Sequence, residues 1–538
     1  MEDFMEKYIN KNFSRREMLK FSALTALSLG LPSVTACGSA NKKKCPNLDF
    51  SKEIILNNVK YVDVHNGKIV NNSIVKIRNG HITYAGPKNI FSKINDQAEV
   101  FDLKGKFLIP GLINGHVHLT LPPGSDVNTL DVLYMFSQFT KNFTLNIENG
   151  ITTVRDMGAM PIFLQDNIRD IENGSLLGPR VVHSNSFITL KDGYVEIDEE
   201  DLHPLGGLLR AFMSWGKFVK RFSTMKELKK RLNDNVKGTT FLKLASWDDI
   251  TLIAGKKGKI PVYKDEHLKY IFEFAENNNV FPCAHNTTIK GFRRALDYPM
   301  HCLEHTISDD YLSDKDVKKF MDRKIMNVPT IILGDIYLYE EAFKTLPKEY
   351  QTDLIKDEIK IRNQYFNSLT ENEIVPAIHN TNVNALKWFK DYNYNWERLY
   401  QDHRYLIDPN PFFKMMIYGI KNLQKLREAG ALLGCGTDSG VPWNYHGTLW
   451  REMEMWSRLG FTNKEIMKSA TINNAKICRM EDKIGSIEVG KYADLVVLDK
   501  NPLKDIMACK NPELVFKGGE LQFQSKDLVK GSEGIKIA

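Results

Sequence analysis

The sequence predicts an α/β protein with two parts: a parallel (β/α)8 barrel of the TIM-barrel class, and a small β-sandwich domain built from both chain ends. Two observations predict the barrel. Apolar segments with strand character recur through the middle of the chain, and helical patterns separate most of them. The third observation is that hairpin-like alternation occurs near both ends of the chain, which predicts the sandwich.

The predicted barrel domain spans residues 107–483 and contains eight candidate strands. These are residues 107–119, 150–156, 179–184, 239–245, 279–285, 301–305, 325–332 and 431–438. Residues 265–278 illustrate the intervening helices, because apolar residues recur there at i, i+3, i+4 and i+7. Residues 333–411, rich in aromatic and charged side chains, are interpreted as a lid insertion.

The β-sandwich domain is predicted over residues 53–106 and 484–530. Its clearest hairpin signals are the pairs Asn79-Gly80 and Gly518-Gly519, each flanked by apolar residues in strand-like segments. The two sequence regions lie far apart in the chain. We therefore expect the two ends to meet in one small domain beside the barrel.

The chain has 538 residues, a net charge of +7 and 42% hydrophobic residues, which are ordinary values for a globular protein. Basic residues are spread thinly beyond Lys42–Lys44, which argues against a nucleic-acid partner. The 7 cysteines are too scattered for a disulfide framework, so most are expected to be free thiols.

Residues 1–36 are interpreted as a signal peptide, followed by a linker at residues 37–52. Arg15 and Arg16 precede a short apolar run and resemble a twin-arginine export signal. The sequence "VTAC" ending at Cys37 resembles a lipobox, in which that cysteine is lipidated. The expected location is therefore outside the cytoplasm, periplasmic or cell-surface, on a membrane that the protein reaches through an N-terminal lipid anchor.

Chemically reactive residues fall at or near the ends of the predicted barrel strands. His116 and His118 stand at i and i+2 on the first strand, so both imidazoles face the same side. Other candidates occur near the ends of later strands: Lys243, His285, His305 and Asp438. In a parallel barrel these ends meet at one mouth. Four histidines and an aspartate there indicate a metal centre, with zinc as the metal that best suits the ligand types.

This order of residues resembles the amidohydrolase superfamily, over roughly residues 53–505. Further matching segments are "GITTVRDMG", "GPRVV", "VPT", "GTDSG", "SATINNAK" and "IGSIEVGKYADLVVLDKNPL". The sequence is most similar to the imidazolonepropionase-like group and to the metal-dependent dipeptidases and carboxypeptidases, including prolidase-like members. One segment departs from the resemblance: after "GPRVV" many relatives carry a Gly-Gly-His-type loop, whereas residues 183–203 read "HSNSFITLKDGYVEIDEEDLH".

The resemblance implies two divalent metal ions, expected to be zinc. His116, His118 and Asp438 would hold one ion, and His285 and His305 the other. Lys243, carboxylated by carbon dioxide to N6-carboxylysine, would bridge them; a free lysine paired with a carboxylate is the alternative. His301 competes with His305 for a ligand position, and the segment "LEHT" favours His305.

The expected activity is hydrolysis of an amide bond by a hydroxide that the metals share, with Asp438 as the catalytic acid–base. The substrate class is a dipeptide, as in a dipeptidase or carboxypeptidase, or an N-acyl amino acid. One alternative is a mononuclear cyclic-amide hydrolase of the imidazolonepropionase type. Another is a lipid-anchored binding protein with a vestigial site. Self-association into a homo-oligomer stays open.

A free α-carboxylate on the substrate would need a cationic or hydrogen-bonding partner. The candidates are Arg155 at the end of the second strand, Tyr263 after the fourth, and His446 in a mouth loop. Arg155 has a structural alternative, because "TTVRDMG" recurs in superfamily members with unlike substrates.

Overall fold

The structure is a computed structural model in which the chain forms an α/β fold with parallel sheets. It describes residues 53–88, 98–121, 123, 129–194, 218–248, 260–335, 340–371, 373–391 and 410–525. The predicted signal peptide and linker lie outside these residues. Among the helices of the described ranges, none combines the length and the apolar content that crossing a bilayer requires.

The strands of the described residues fall into three sheets. In chain order the strands are β1 (Ile54–Asp63), β2 (Lys68–Arg78), β3 (His81–Pro87), β4 (Glu99–Asp102), β5 (Phe107–Pro110), β6 (Leu112–Val117), β7 (Ile151–Asp156), β8 (Arg180–His183), β9 (Phe187–Leu190), β10 (Val219–Phe222), β11 (Phe241–Leu244), β12 (Phe281–His285), β13 (Cys302–Glu304), β14 (Met326–Val328), β15 (Leu495–Leu498), β16 (Leu514–Lys517) and β17 (Glu520–Gln524).

Strands from the two chain ends lie together, but they pair in one sheet. The predicted sandwich of two sheets is not seen among the described residues. The order is β17-β16-β15-β5-β1-β2-β3, with β4 also paired to β1. The reason lies in β5, which runs parallel to β1 on one side and antiparallel to β15 on the other. It therefore joins the two regions edge to edge, and an apolar cluster of its own packs on the sheet.

The predicted first barrel strand, residues 107–119, divides at Gly111 into two strands of different sheets. β5 pairs in the sheet of the chain ends and β6 in a sheet of the barrel region. The Gly111 amide donates a 2.7 Å hydrogen bond to the carbonyl of Asp494, and a Cβ at this position would overlap the Thr152 side chain. Both halves are apolar, which is why the sequence suggested a single strand.

The barrel region consists of two parallel sheets, β6-β7-β8 and β10-β9-β11-β12-β13-β14. Each of the first seven predicted segments contains one of these strands. The eighth, 431–438, forms one isolated bridge, between Leu433 and Asn327, and Ser439 just after it forms another with Val117. Regular pairing therefore does not close the ring. The physical reason is local: Gly434, Gly436 and the left-handed backbone of Asp438 (φ 57°) interrupt a regular strand.

The α-helices of the described residues surround these sheets or lie in the insertion. Their bounds are Thr129–Glu148, Pro161–Glu172, Met225–Asn235, Asp265–Asn277, Ile289–Ala295, Asp314–Asp322, Glu340–Thr345, Asp353–Ser368, Pro376–Asp391, Asn410–Lys414, Ile420–Glu428, Leu449–Arg458, Asn463–Lys468 and Asn474–Ile477. The helix predicted at 265–278 is confirmed, and its predicted apolar face is buried. A single large apolar core connects the helices with the strands.

The insertion predicted at 333–411 is helical where it is described, and it docks on the barrel through polar contacts. Gln138 accepts a 2.8 Å hydrogen bond from the Val375 amide. A buried ion-pair network also ties the insertion to the helix Leu449–Arg458, because Glu358 pairs with both Arg451 and Arg458. The structure thus shows a packed insertion, and its role as a lid remains a prediction.

Candidate metal centre

The predicted ligands from different strands converge in one buried cluster. The ring centroids of His116 and His118 lie 5.3 Å apart, those of His116 and His305 lie 4.9 Å apart, and those of His285 and His305 lie 4.5 Å apart. Single ligand atoms of His116, His305 and Asp438 all lie within 4.8 Å of one another. Side chains far apart in the sequence therefore surround one point near the carboxyl ends of the strands.

Asp438 lies among the imidazoles. Its Oδ1 is 2.9 Å from Nε2 of His118 and 3.3 Å from Nε2 of His116, and its Oδ2 is 3.9 Å from Nδ1 of His305. Despite these short distances, Oδ1 lacks the geometry of a hydrogen bond to any described group. A carboxylate oxygen placed between imidazole nitrogens without hydrogen bonds is what a shared metal ligand requires.

Lys243 lies in the same region, fully buried in β11. Its Nζ has no hydrogen-bond partner among the described residues. Burial lowers the pKa of this amine, although the carboxylates of Glu304 and Asp438 oppose the shift. A neutral primary amine is the form that reacts with carbon dioxide. The environment of Lys243 therefore fits the predicted carboxylation.

The alternation of the strands explains why Lys243 and His285 point inward. Phe241 and Cys283, two residues earlier on β11 and β12, contact the guanidinium of Arg155: the ring centroid lies 5.4 Å from its Cζ and the thiol 3.5 Å from its Nη1. Residues at i and i+2 face the same side of a strand. Lys243 and His285 consequently occupy the next level, nearer the carboxyl ends.

Two ligands depend on unusual backbone conformations. His305 has φ 73° and Asp438 has φ 57°, both in the left-handed region that residues with a Cβ rarely adopt. Glu304 already faces the barrel interior, so simple alternation would turn His305 outward. The left-handed conformation at His305 returns its imidazole to the cluster. Such strained residues concentrate at functional sites.

Hydrogen bonds to Nδ1 fix the orientation of two imidazoles. His116 Nδ1 lies 2.7 Å from Oε2 of Glu304, and His118 Nδ1 lies 2.7 Å from the carbonyl oxygen of Gly158. A carboxylate and a carbonyl oxygen can only accept a hydrogen bond. Nδ1 is therefore the donor in each ring, and Nε2 carries the free lone pair. Both Nε2 atoms face Asp438. This arrangement is typical of metal-binding histidines.

The protonation preferences agree with a metal site. Burial lowers the pKa of His116, His285 and His305 well below its usual value, and the positive charge of Lys243 acts in the same direction. For His118 burial is again the largest effect and disfavours the charged form, but the carboxylates of Asp438 and Asp156 together raise the pKa. Neutral imidazoles are the ligand form.

The structure gives Arg155 a structural role instead of a substrate contact. Its Nη2 lies 2.8 and 2.7 Å from the two oxygens of Glu304, and its Nε donates a 2.6 Å hydrogen bond to the Gly115 carbonyl. The side chain is fully buried. Its charge is therefore already paired, which corrects its candidacy as the partner of a substrate carboxylate.

Tyr263 and His446 also have core surroundings. The Tyr263 hydroxyl donates a hydrogen bond to the carbonyl of Ile188, and its ring stacks on Phe222 with centroids 6.1 Å apart. His446 Nδ1 lies 3.4 Å from Nδ2 of Asn146, and burial lowers the pKa of His446 to about 3. His301, the competitor of His305, lies outside the cluster, with Nε2 2.9 Å from the Ile477 carbonyl.

Sequence reasoning missed three side chains beside the cluster. Glu304 contacts His116. Tyr194 stacks on His285 with ring centroids 4.2 Å apart. Asp156 accepts hydrogen bonds from the amides of Leu119 and Gly158, which brace the loop after His118. Asp156 had a signal in the sequence, because it is a carboxylate at the end of a predicted strand.

The donor set fits divalent metal ions. Three of its polar atoms, His116 Nε2, Lys243 Nζ and Asp438 Oδ1, are buried without hydrogen-bond partners among the described residues. Such orphaned atoms are costly unless something binds them. Nitrogen and carboxylate donors together match zinc and similar metals.

A model of the amidohydrolase family matches residues 107–521. The chain belongs to the amidohydrolase family. Its matched region contains every predicted metal ligand. Amidohydrolases are metal-dependent, so family membership and the donor geometry agree that this cluster is a metal site.

Curated relatives resemble this amidohydrolase over limited regions. The imidazolonepropionase of Fusobacterium nucleatum is 35% identical over 105 residues, which cover 19% of this chain and 25% of that protein. The 5'-deoxyadenosine deaminase of Methanobrevibacter smithii is 35% identical over 105 residues, which cover 18% of this chain and 24% of that protein. The chain thus spans about a quarter of the length of these two relatives.

Solved structures of other proteins share the fold over most of the chain. A Xaa-Pro dipeptidase with bound methionine in its active site is 20% identical, with TM-score 0.63, covering 88% of this chain and 100% of that chain. An A. niger ochratoxinase is 19% identical, with TM-score 0.60, and the match covers 88% of this chain and 96% of that chain. At these identities the similarity demonstrates the fold alone.

Proposed function

We propose that this amidohydrolase is a hydrolytic enzyme that cleaves a carbon–nitrogen amide bond, and that its substrate is a dipeptide or an N-acyl amino acid. The observation that carries the proposal is the convergence of four imidazoles, one carboxylate and one buried lysine on a single point, with orphaned donor atoms facing it. The Xaa-Pro dipeptidase of similar fold supports the peptide-like substrate class.

In this proposal His116, His118 and Asp438 would hold one divalent ion, His285 and His305 would hold a second, and Lys243, once carboxylated, would be a ligand to both. Zinc is the proposed metal. Bound there, such ions polarise a carbonyl oxygen and lower the pKa of a water molecule toward neutrality. Glu304 and Gly158 keep the imidazoles of His116 and His118 in the orientation that presents Nε2.

Asp438 is the proposed acid–base. Its carboxylate accepts a proton from the attacking water and later delivers that proton to the leaving nitrogen. Its position between the imidazoles of both proposed ion sites suits this double role. The barrel interior below the centre is closed by Arg155, Cys283 and Cys302, so substrate has to approach from the carboxyl ends of the strands.

A mononuclear cyclic-amide hydrolase is the second candidate, favoured by the local similarity to an imidazolonepropionase. Metal stoichiometry separates the two. We expect about two ions per chain in the metal-loaded protein and preferential hydrolysis of linear dipeptides. One ion per chain, with an unmodified Lys243 and turnover of cyclic amides only, would favour the second candidate.

Recognition of the substrate α-carboxylate belongs to the same proposal. Amidating the carboxyl end of an accepted dipeptide should lower kcat/KM by about tenfold or more, the energy of a charge-assisted hydrogen bond. Equal hydrolysis of acid and amide would reject carboxylate recognition. We also propose, from residues 1–37 alone, that the enzyme is exported and anchored to a membrane through lipidated Cys37.

A further inference from the structure

Tyr194 lies at the edge of the metal centre and takes no part in the roles described so far. Its ring stacks on the imidazole of His285, with centroids 4.2 Å apart and an angle of 30° between the planes. The residue is 8% exposed. The hydrogen bond that holds the residue in the turn is made by its backbone carbonyl, and a tyrosine hydroxyl beside a metal centre is able to donate to a bound ligand.

A tight turn holds Tyr194 in this place. The Thr189 hydroxyl donates a 2.9 Å hydrogen bond to the Tyr194 carbonyl, and the Ser246 hydroxyl accepts a 2.9 Å hydrogen bond from the Leu190 amide. A Cβ at Gly193 would overlap Oγ of Ser246, so the close approach requires glycine. Ser246 follows β11, the strand of Lys243. The turn and the metal centre are therefore built on the same strand.

Two phenylalanines, Phe187 and Phe218, belong to the same apolar cluster as Tyr194. The Phe187 and Phe218 rings pack edge to face with centroids 4.9 Å apart. They also lie 5.5 and 6.5 Å from the ring of His118. We call Phe187, Tyr194 and Phe218 the aromatic wall. It flanks His118 on one side and His285 on the other, so it borders the region where a substrate at the metals would lie.

We infer that Tyr194 is a substrate-contacting residue, whose hydroxyl donates a hydrogen bond to an oxygen of the substrate, and that the aromatic wall selects an apolar group next to the scissile bond. The inference rests on the proposed amide hydrolysis and adds a substrate class to it: amides with an apolar acyl side chain. The hydroxyl suits this role because the phenol of tyrosine is an O–H donor at neutral pH, and its ring stands against His285.

The position within the sequence supports a role in specificity. Tyr194 belongs to residues 183–203, the segment that departs from the loop pattern of many superfamily members. Tyr194 is thus a residue of this chain's own loop that stands beside a predicted metal ligand, His285. Substrate preference would then depend on the residues of this turn, while the metal ligands stay the same.

The test uses metal-loaded full-length protein and two phosphinic dipeptide analogues, one of Phe-Gly and one of Gly-Gly. Their tetrahedral phosphinate resembles the transition state of amide hydrolysis. Calorimetric titration gives Kd for the wild type, for Tyr194→Phe, for Tyr194→Leu and for the control Tyr298→Phe, whose hydroxyl contacts Asp265 at the surface. Metal content is measured for every protein.

We expect Tyr194→Phe to retain its metal and to bind both analogues about 10- to 100-fold more weakly, because it loses one hydrogen bond to a charged group. Tyr298→Phe should bind like the wild type. The wild type should prefer the Phe-Gly analogue by about tenfold or more, and Tyr194→Leu should lose most of that preference.

Unchanged affinity in Tyr194→Phe would overturn the hydrogen bond, and equal affinity of the wild type for the two analogues would overturn the role of the aromatic wall. Binding of neither analogue by the metal-loaded wild type would instead refute the proposed amide hydrolysis together with this inference. The two kinds of failure are thus distinguishable.

Discussion

Glu304 joins His116 to Arg155: one carboxylate accepts a 2.7 Å hydrogen bond from Nδ1 of His116 and pairs with the buried guanidinium at 2.7 and 2.8 Å. All three side chains are fully buried. A carboxylate behind a metal-binding histidine fixes the tautomer and the direction of the ring. Arg155 in turn neutralises the carboxylate, so the ligand geometry depends on a charge pair beneath the centre.

Replacing Glu304 with Gln should weaken metal binding. The amide keeps the shape of the side chain but removes the charge that orients His116, and loss of such a partner costs about 10- to 100-fold in metal affinity. Titration of the metal-stripped protein with zinc measures the change. Glu465→Gln serves as the control, because Glu465 pairs with Arg427 away from the centre. Equal zinc affinity in Glu304→Gln and wild type would contradict the positioning role.

Lys243→Gln should lower the metal content from about two ions per chain toward one, because the proposed bridging carbamate cannot form. Labelled bicarbonate should give a carbamate signal in the NMR spectrum of the wild type and none in the variant. Lys517→Gln is the matched control: burial also lowers the pKa of Lys517, to about 8, but its Nζ already donates a hydrogen bond to the Gly178 carbonyl. Full metal content in Lys243→Gln would exclude the bridge.

Acid should destabilise the fold through buried histidines outside the metal centre. Burial lowers the pKa of His183 and His301 to about 4 in the folded state. Between about pH 6.5 and pH 4 the unfolded chain binds protons that the folded chain does not. Stability therefore falls as the pH falls through that window, by an amount on the order of 3 kcal/mol for each histidine.

Denaturant unfolding at several pH values tests this expectation. His301→Gln should show a shallower loss of stability with acid than the wild type, even if it is less stable at neutral pH. His65→Gln is the control, because His65 is exposed. Parallel stability curves for His301→Gln and wild type would show that His301 does not contribute to the pH dependence.

The proposed anchor predicts that the mature protein sediments with membranes and that Cys37→Ser releases it. Several acyl chains anchor stably, whereas one chain gives marginal binding. Cys45→Ser should remain on the membrane, since that cysteine stands outside the lipobox-like sequence. Wild-type protein with an intact N-terminus in the cytoplasmic fraction would refute both the signal and the anchor.

The sequence predicted the part of the site that follows from strand alternation. His116 and His118 stand two residues apart at the end of β6, and Lys243 and His285 lie at or near the ends of β11 and β12. His305 and Asp438 were also predicted from strand ends, and resemblance favoured His305 over His301, but their left-handed backbone conformations cannot be derived from periodicity. Glu304 was missed for the same reason: once His305 is taken to face inward, its neighbour is expected to face outward.

The architecture of the small domain was predictable only in part. Hairpin signals identified strands at both chain ends, but the pairing of β5 with both β1 and β15 is a long-range relationship that local patterns do not encode. β9 and β10 were not among the predicted strands; each has only four residues, too few for a clear alternation of apolar and polar side chains. The insertion at 333–411 was located by composition, whereas its contacts with Gln138 and Arg451 required the structure.

The central claim is metal-dependent amide hydrolysis at the cluster around Asp438. The most direct measurement is the rate at which purified protein, metal-stripped or zinc-loaded, hydrolyses a library of dipeptides and N-acyl amino acids, with Asp438→Asn alongside. We predict that the zinc-loaded wild type hydrolyses substrate and that the metal-stripped wild type does not. The turnover rate of a folded, zinc-loaded Asp438→Asn variant should be lower by about 10²- to 10⁴-fold. Equal turnover with and without metal, or near-normal turnover by Asp438→Asn, would contradict the account.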